Sequence, residues 1–188
     1  NEFLTDVSTE QLALIFSTAE TWAEVDPAWP AEPILRFSPG TDSGTFDYFV
    51  EHVFDSDETP LLAAKNLQLS EDDNVLVQGV EGSPYAVGYF GFAYYIENQA
   101  KLKAAAIWNG SKFVAPSAQV VEDGSYQPLA RPLFIYTRES LLAEKPEVLG
   151  FVNFYVENMQ ALVPDVGYIT LPENLYQEQV AKVTPFLP

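Results

Sequence analysis

Apolar positions along the chain fall into helix-spaced and strand-spaced runs. Phe46, Phe49, Val50 and Val53 recur at spacings of three, four and seven, which marks one face of an α-helix. Ser8 and Gln11 stand as N-cap and N3 of a capping box, and Leu12, Ile15 and Phe16 continue it as an amphipathic helix. Ser70 to Val80 is expected to be helical and to end at Gly82. Pro146 opens a long helix in which Val148, Val152, Tyr155 and Met159 share a face. Pro172 opens the last helix, with Tyr176, Val180 and Val183 inward. Short helices are expected after Tyr89 and over Pro116 to Glu122.

Strands are expected over Ile34 to Phe37, Ala86 to Tyr89, Lys103 to Trp108 and Leu133 to Thr137, with a brief extended piece at Tyr168-Ile169. Asn109-Gly110 supplies a tight turn. Trp22 to Pro33 holds three prolines and two tryptophans, so it is expected to be an ordered loop rather than a regular element. Asp55 to Pro60 is a polar, acidic break. The aromatic run Tyr85 to Tyr95 is assigned to the core, because bulky rings dominate buried area. Strands alternating with helices imply an α/β fold.

Chemistry concentrates where the strand at Ile34–Phe37 meets the helix beginning near Phe46. Between them lies Pro39-Gly40-Thr41-Asp42-Ser43-Gly44-Thr45. The first amides of a helix lack partners inside it and point outward at the positive end of the dipole. Hydroxyls and a glycine at such a start can cradle a small oxyanion, although the same residue types also serve as a plain N-cap.

Charge sharpens the question. Nine basic against 27 acidic residues leave a net charge of −18 over 188 residues. A chain this acidic repels nucleic acid and anionic membranes, and no Lys/Arg cluster offers a local exception. An anionic ligand must therefore be held by short-range amides, hydroxyls and an Arg. Solubility is the plainer meaning of the acidity. With no Cys, disulfides, thiol nucleophiles and Cys-based metal sites are excluded. No window approaches the roughly 18 apolar residues of a membrane span. Asn1-Glu2-Phe3-Leu4 carries no signal peptide, which a processed chain would also lack.

Several motifs then line up in order. They are Trp22 through Trp29-Pro30, Gly40-Thr41-Asp42-Ser43-Gly44-Thr45-Phe46, and Gly82-Ser83-Pro84-Tyr85-Ala86-Val87-Gly88-Tyr89. Ala115-Pro116-Ser117 follows, then Tyr126 with Arg131-Pro132-Leu133-Phe134-Ile135-Tyr136, and finally Val166-Gly167-Tyr168 with Leu171-Pro172. Together they resemble the periplasmic phosphate-binding proteins of ABC transporters, the PstS type, over essentially the whole chain.

The resemblance implies an α/β fold of type II periplasmic-binding-protein architecture, with one complete lobe plus the C-terminal part of the other. Residues 1–125 correspond to the second lobe and 126–188 to the returning part of the first. The opening section of the first lobe, which supplies about half of the anion's ligands in the family, has no counterpart. The expectation is a fragment, an experimental truncation, or a family member that lost that section, and hence weak anion binding. The implied function is capture of inorganic phosphate for a membrane permease in a periplasmic or extracytoplasmic location, with any lipid anchor decided elsewhere. No catalytic residue, metal or cofactor is implied.

The implied phosphate-binding residues are Thr41, Asp42, Ser43, Gly44, Thr45 and Arg131. Some family members carry an Arg four residues before the turn serine, where this chain has Pro39. Arg131 is the favoured substitute and Arg36 the other candidate; Asp42 would orient the Arg or the turn. The choice of phosphate over other tetrahedral oxyanions stays open.

Two rivals bear on this assignment. Asp42-Ser43-Gly44 also resembles a serine-hydrolase turn, with His52 as the one histidine available as base. Along a helix His52 would lie at least roughly 10 Å from Ser43, beyond nucleophile–base reach, and it is expected to be an exposed helix residue. The other rival is a non-binding interaction or assembly domain of the same fold. It would form a homodimer through apolar surface at Phe134, Tyr136, Val152 and Tyr155.

Overall fold

The computed structural model describes residues 1–187. Two compact units divide the chain, Asn1–Ala130 and Arg131 onward.

The first unit holds β1 (Asp6–Val7), α1 (Thr9–Ile15), α2 (Trp22–Val25), β2 (Leu35–Pro39), α3 (Gly44–Phe54), α4 (Thr59–Leu62) and β3 (Leu67–Ser70). It continues with α5 (Asp73–Glu81), β4 (Ala86–Gly88), α6 (Phe92–Glu97), β5 (Ala106–Trp108), β6 (Phe113–Val114) and α7 (Ala118–Glu122). Two three-stranded sheets result, in the orders β3-β2-β4 and β1-β5-β6. β2 runs parallel to both neighbours, with Arg36 opposite Leu67 and Val87. β1 is parallel to β5, and β5 turns back onto β6 across Asn109-Gly110.

Each helix start has a local cause. Ser8 and Gln11 form the full capping box of α1. Ser43, Asp72 and Ser117 cap α3, α5 and α7 through their side chains. α3 buries Phe46, Phe49, Val50 and Val53 and stops at Asp55 in a left-handed conformation. Phe49 stacks on Tyr89 at 3.8 Å between ring centroids, and Phe16 meets both rings edge-on. Gly79 lets α5 close onto β2, since a Cβ there would lie 2.1 Å from the Phe37 ring.

One buried cation ties the unit together. Arg36 is 0 % exposed, and its guanidinium donates to the carbonyls of Ile15, Ala19, Ile34 and Lys65. Burial lowers its pKa, and the carboxylates of Glu20 and Glu24 oppose that shift. Arg36 is thereby removed as an anion ligand, because its donors are spent on backbone.

The second unit is helical: α8 (Glu139–Glu144), α9 (Pro146–Leu162) and α10 (Glu173–Val183), with 3-10 turns at Pro164–Val166 and Thr184–Phe186. Leu142, Val152, Val156 and Val183 form its core, with Val148, Leu149, Tyr176, Val180 and Phe186 packed around them.

Several expectations change. The Trp22–Pro33 loop begins with the helical turn α2, and the break after Asp55 ends in α4. The helix expected from Ser70 starts at Asp73, because Leu67–Ser70 pairs with β2 as a strand. Leu133 to Thr137 is extended in sequence type but has no ladder partner among the described residues, and Leu133, Phe134, Ile135 and Tyr136 are exposed. The buried stripe of α9 runs through Val152 and Val156, so Val152 is core and Tyr155 faces out. The Tyr85–Tyr95 rings are half-buried rather than fully enclosed.

Replacing Arg36 with Leu strands several buried carbonyls, each costing about 1–3 kcal/mol. Urea denaturation of Arg36→Leu is expected to show a loss of about 3–5 kcal/mol, against less than about 1 kcal/mol for Lys65→Ala, whose exposed pair with Glu20 contributes little.

Candidate functional site

β2 ends at Pro39 and hands the chain to a tight turn that starts α3. Gly40 is pinned at the sheet end, its N–H donating to Ser70 O at 3.0 Å. Ser43 N–H closes the turn onto Gly40 O at 3.0 Å, and Ser43 Oγ accepts from Thr45 N–H at 3.2 Å. Asp47 N–H then donates to Ser43 O at 3.1 Å. Thr41, Asp42 and Gly44 are exposed, and Ser43 and Thr45 are half-buried. The five residues thus form one contiguous, accessible helix start. Gly44 is the first helical residue, and its N–H has no acceptor within the helix. Arg131 opens the second unit and is described with it.

An acidic lip, not foreseen from the sequence, borders the turn. Glu71 Oε1 accepts from Asp42 N–H at 3.4 Å. It lies so close that a Cβ on Gly40 would stand 1.8 Å from it, so Gly40 must be glycine while that carboxylate stays in place. Asp72 and Asp73 follow at the start of α5. Burial, then the neighbouring carboxylates Asp72 and Glu71, raise the Asp73 pKa. The run Glu71-Asp72-Asp73 was visible in the sequence, but its approach to Gly40 depends on the β2–β3 pairing.

His52 packs its ring on Tyr48 at 4.1 Å, and its Nδ1 lies 3.0 Å from Tyr48 O. It is half-buried rather than exposed, because the Tyr48 ring one helical turn earlier covers it. Tyr48 Oη in turn lies 2.8 and 2.9 Å from the carbonyl oxygens of Pro128 and Ala130, and its one proton, donated to either, ties this segment to α3.

Beside α3 the first unit holds an open, mainly apolar cavity of about 610 Å³. Thr45, Phe49, Tyr89, Phe92, Ile107 and Leu129 are among its walls. Burial pushes the Tyr126 hydroxyl there up to about 12. Burial raises Tyr89 as well, against the Ser38 hydroxyl 2.7 Å away. Among the described residues no group of His, Cys, Asp or Glu is placed to hold a metal ion, and no helix is long and apolar enough to cross a membrane.

The first unit is thus a parallel α/β sheet whose central strand leads into a capped, open helix start. The chain belongs to the PBP superfamily, whose domain it matches over residues 1–158. It is 44% identical over 181 residues to Protein SphX of Synechocystis sp., covering 94% of this chain and 53% of that protein. It is 37% identical over 185 residues to the phosphate-binding protein PstS of Staphylococcus saprophyticus, covering 97% of this chain and 56% of that protein. A crystal structure of a possible phosphate binding protein from Planctomyces limnophilus superposes with a TM-score of 0.83 at 39% identity, covering 100% of this chain and 67% of the other. The chain therefore spans about half the length of the curated relatives it matches.

The raised Asp73 has a definite pH signature. Between its ordinary value of 3.8 and its higher folded value, the folded state holds more protons than the unfolded state. Stability from this group is therefore lost as pH rises through that window. Asp73→Asn is expected to be more stable than the parent at neutral pH, with the difference vanishing below the ordinary carboxyl value. Thermal unfolding across pH measures it; a constant difference at all pH values would contradict the assignment.

Proposed function

We propose that this chain carries the phosphate-contacting turn of a solute-binding protein serving an ABC importer. The observation that carries it is the open start of α3, where Ser43 caps the helix and the Gly44 amide and the Ser43 and Thr45 hydroxyls are accessible. Relatives named for phosphate binding share the chain's full length of similarity, which supports phosphate as the anion.

Thr41, Asp42, Ser43, Gly44 and Thr45 supply short-range contacts in this proposal, and Arg131 a charge-assisted, planar donor pair. Asp42 shapes the turn through its backbone N–H, which donates to Glu71 Oε1. No bond is made or broken in the ligand, so the proposed role is capture and delivery to a membrane permease outside the cytoplasm. Anion binding favours whichever conformation makes the extra contacts.

The chain alone is expected to bind weakly, roughly in the millimolar range. Two turn amides, those of Ser43 and Thr45, are already satisfied internally, and Glu71 places a carboxylate against the turn.

The test is amide NMR of the labelled chain during a phosphate titration, with sulfate as control. Shifts at Ser43, Gly44 and Thr45, absent at core residues such as Val152, are expected. Glu71→Gln is expected to tighten binding roughly threefold to tenfold by removing a nearby like charge. Arg131→Gln is expected to weaken it. Silence at the turn up to saturating phosphate would reject the proposal.

A further inference from the structure

The β5–β6 hairpin turns through Asn109-Gly110, the one Asn-Gly step in the sequence. Asn109 is half-buried, and Gly110, Ser111 and Lys112 are exposed. Gly110 has φ of +95°, in the left-handed region that favours glycine, with open space where a Cβ would stand. The Asn109 carboxamide folds back over the residues that follow, as in an Asx turn. Its Oδ1 accepts from Ser111 N–H at 3.1 Å, from the Ser111 hydroxyl at 3.0 Å and from Lys112 N–H at 3.1 Å. Its Nδ2 donates to Ser125 O at 3.0 Å. Among the described residues no acceptor engages the Gly110 N–H.

Three donors on one carbonyl oxygen do more than fix a side chain. A carbonyl carbon under nucleophilic attack passes charge to its oxygen, and donors already aimed at that oxygen stabilise the charge. The nucleophile at hand is the Gly110 nitrogen, whose attack on Asn109 Cγ closes a succinimide ring. Glycine places no side chain in the way, and the nitrogen gives up no bond to the protein in order to react.

We propose that Asn109 is a site of covalent self-modification, and that its conversion loosens the segment from Ser125 to Ala130. The bond from Gly110 N to Asn109 Cγ forms and the Cγ–Nδ2 bond breaks. The Gly110 amide proton leaves with Nδ2 as ammonia. Water then opens the ring at either carbonyl and leaves aspartate or isoaspartate. Nothing is oxidised or reduced, and water is the sole co-reactant. Neither product has an N–H for Ser125 O, and each sets a carboxylate near that carbonyl. Isoaspartate also adds a methylene to the hairpin backbone. Ser125 leads into Tyr126, whose N–H donates to Val120 O at 2.9 Å, and into the Pro128 and Ala130 carbonyls beside Tyr48 Oη. Loss of the Asn109 anchor frees the start of this segment.

The experiment incubates the whole chain at neutral pH without phosphate and follows it by peptide mapping with isoaspartate detection. Conversion is expected at Asn109 and not at Asn66, Asn74 or Asn98, which precede Leu, Val and Gln. Ser111→Ala removes one donor from Oδ1 at an exposed position. It is expected to slow conversion roughly threefold to tenfold, less than the hundredfold or so lost in an enclosed oxyanion site. Asn109→Asp reproduces one product directly. Amide hydrogen exchange at Tyr126 is expected to quicken at least about fivefold in that variant, while exchange at Tyr89 stays unchanged. An unconverted Asn109 overturns the proposal. So does a Ser111→Ala chain that converts as fast as the parent or faster, because the donors then restrain the carboxamide instead of activating it. Unchanged exchange at Tyr126 in Asn109→Asp overturns the loosening. Each outcome is independent of whether the chain binds phosphate.

Discussion

The buried guanidinium of Arg36 is the contact on which the first unit depends. Its donors reach carbonyls at the end of α1, in the loop after it, at the entry to β2 and just before β3. Ile15 O is at the C-terminal end of α1 and the other three carbonyls lie in irregular backbone, so neither helix nor ladder satisfies them. A buried charge of this kind is costly to desolvate, and it persists because every partner is a fixed dipole and two carboxylates lie near enough to act on it. The result is a single anchor that sets where β2 begins. Since β2 is the middle strand of its sheet, it also sets where β2 ends.

That end point governs the Gly40–Thr45 turn, the proposed anion contact. Gly40 is held to Ser70, Ser43 folds back on Gly40, and α3 leaves with its first amide outward. The same pairing of β2 with β3 carries Glu71 to the turn, so geometry suited to an oxyanion comes with a carboxylate beside it. At about 4 Å a unit charge pair interacts by about 1 kcal/mol in water-like surroundings and by several times that in drier ones. The hydrogen bonds of a helix start to a charged ligand are of similar size. Attraction and repulsion are thus closely matched at this turn, and the position of one flexible side chain shifts the balance.

Several signals that act within a few residues were legible in the sequence. The capping box at Ser8, the capped start and buried face of α3 and the turn at Asn109-Gly110 all follow from neighbours in the chain. The family match was legible for the same reason, through short motifs in fixed order. What escaped depends on distant partners. Leu67–Ser70 is a strand because β2 lies beside it, and Arg36 is structural because residues some twenty positions earlier fold around it. Glu71 joins the site only through that strand pairing.

Leu133–Tyr136 shows the converse. Its residues are strong strand formers, yet the propensity describes a fit to a pleated, half-buried surface and has no effect without one. Burying a large apolar side chain is worth about 1.5–3 kcal/mol, so leaving four exposed forgoes a stabilisation comparable with a whole domain's margin.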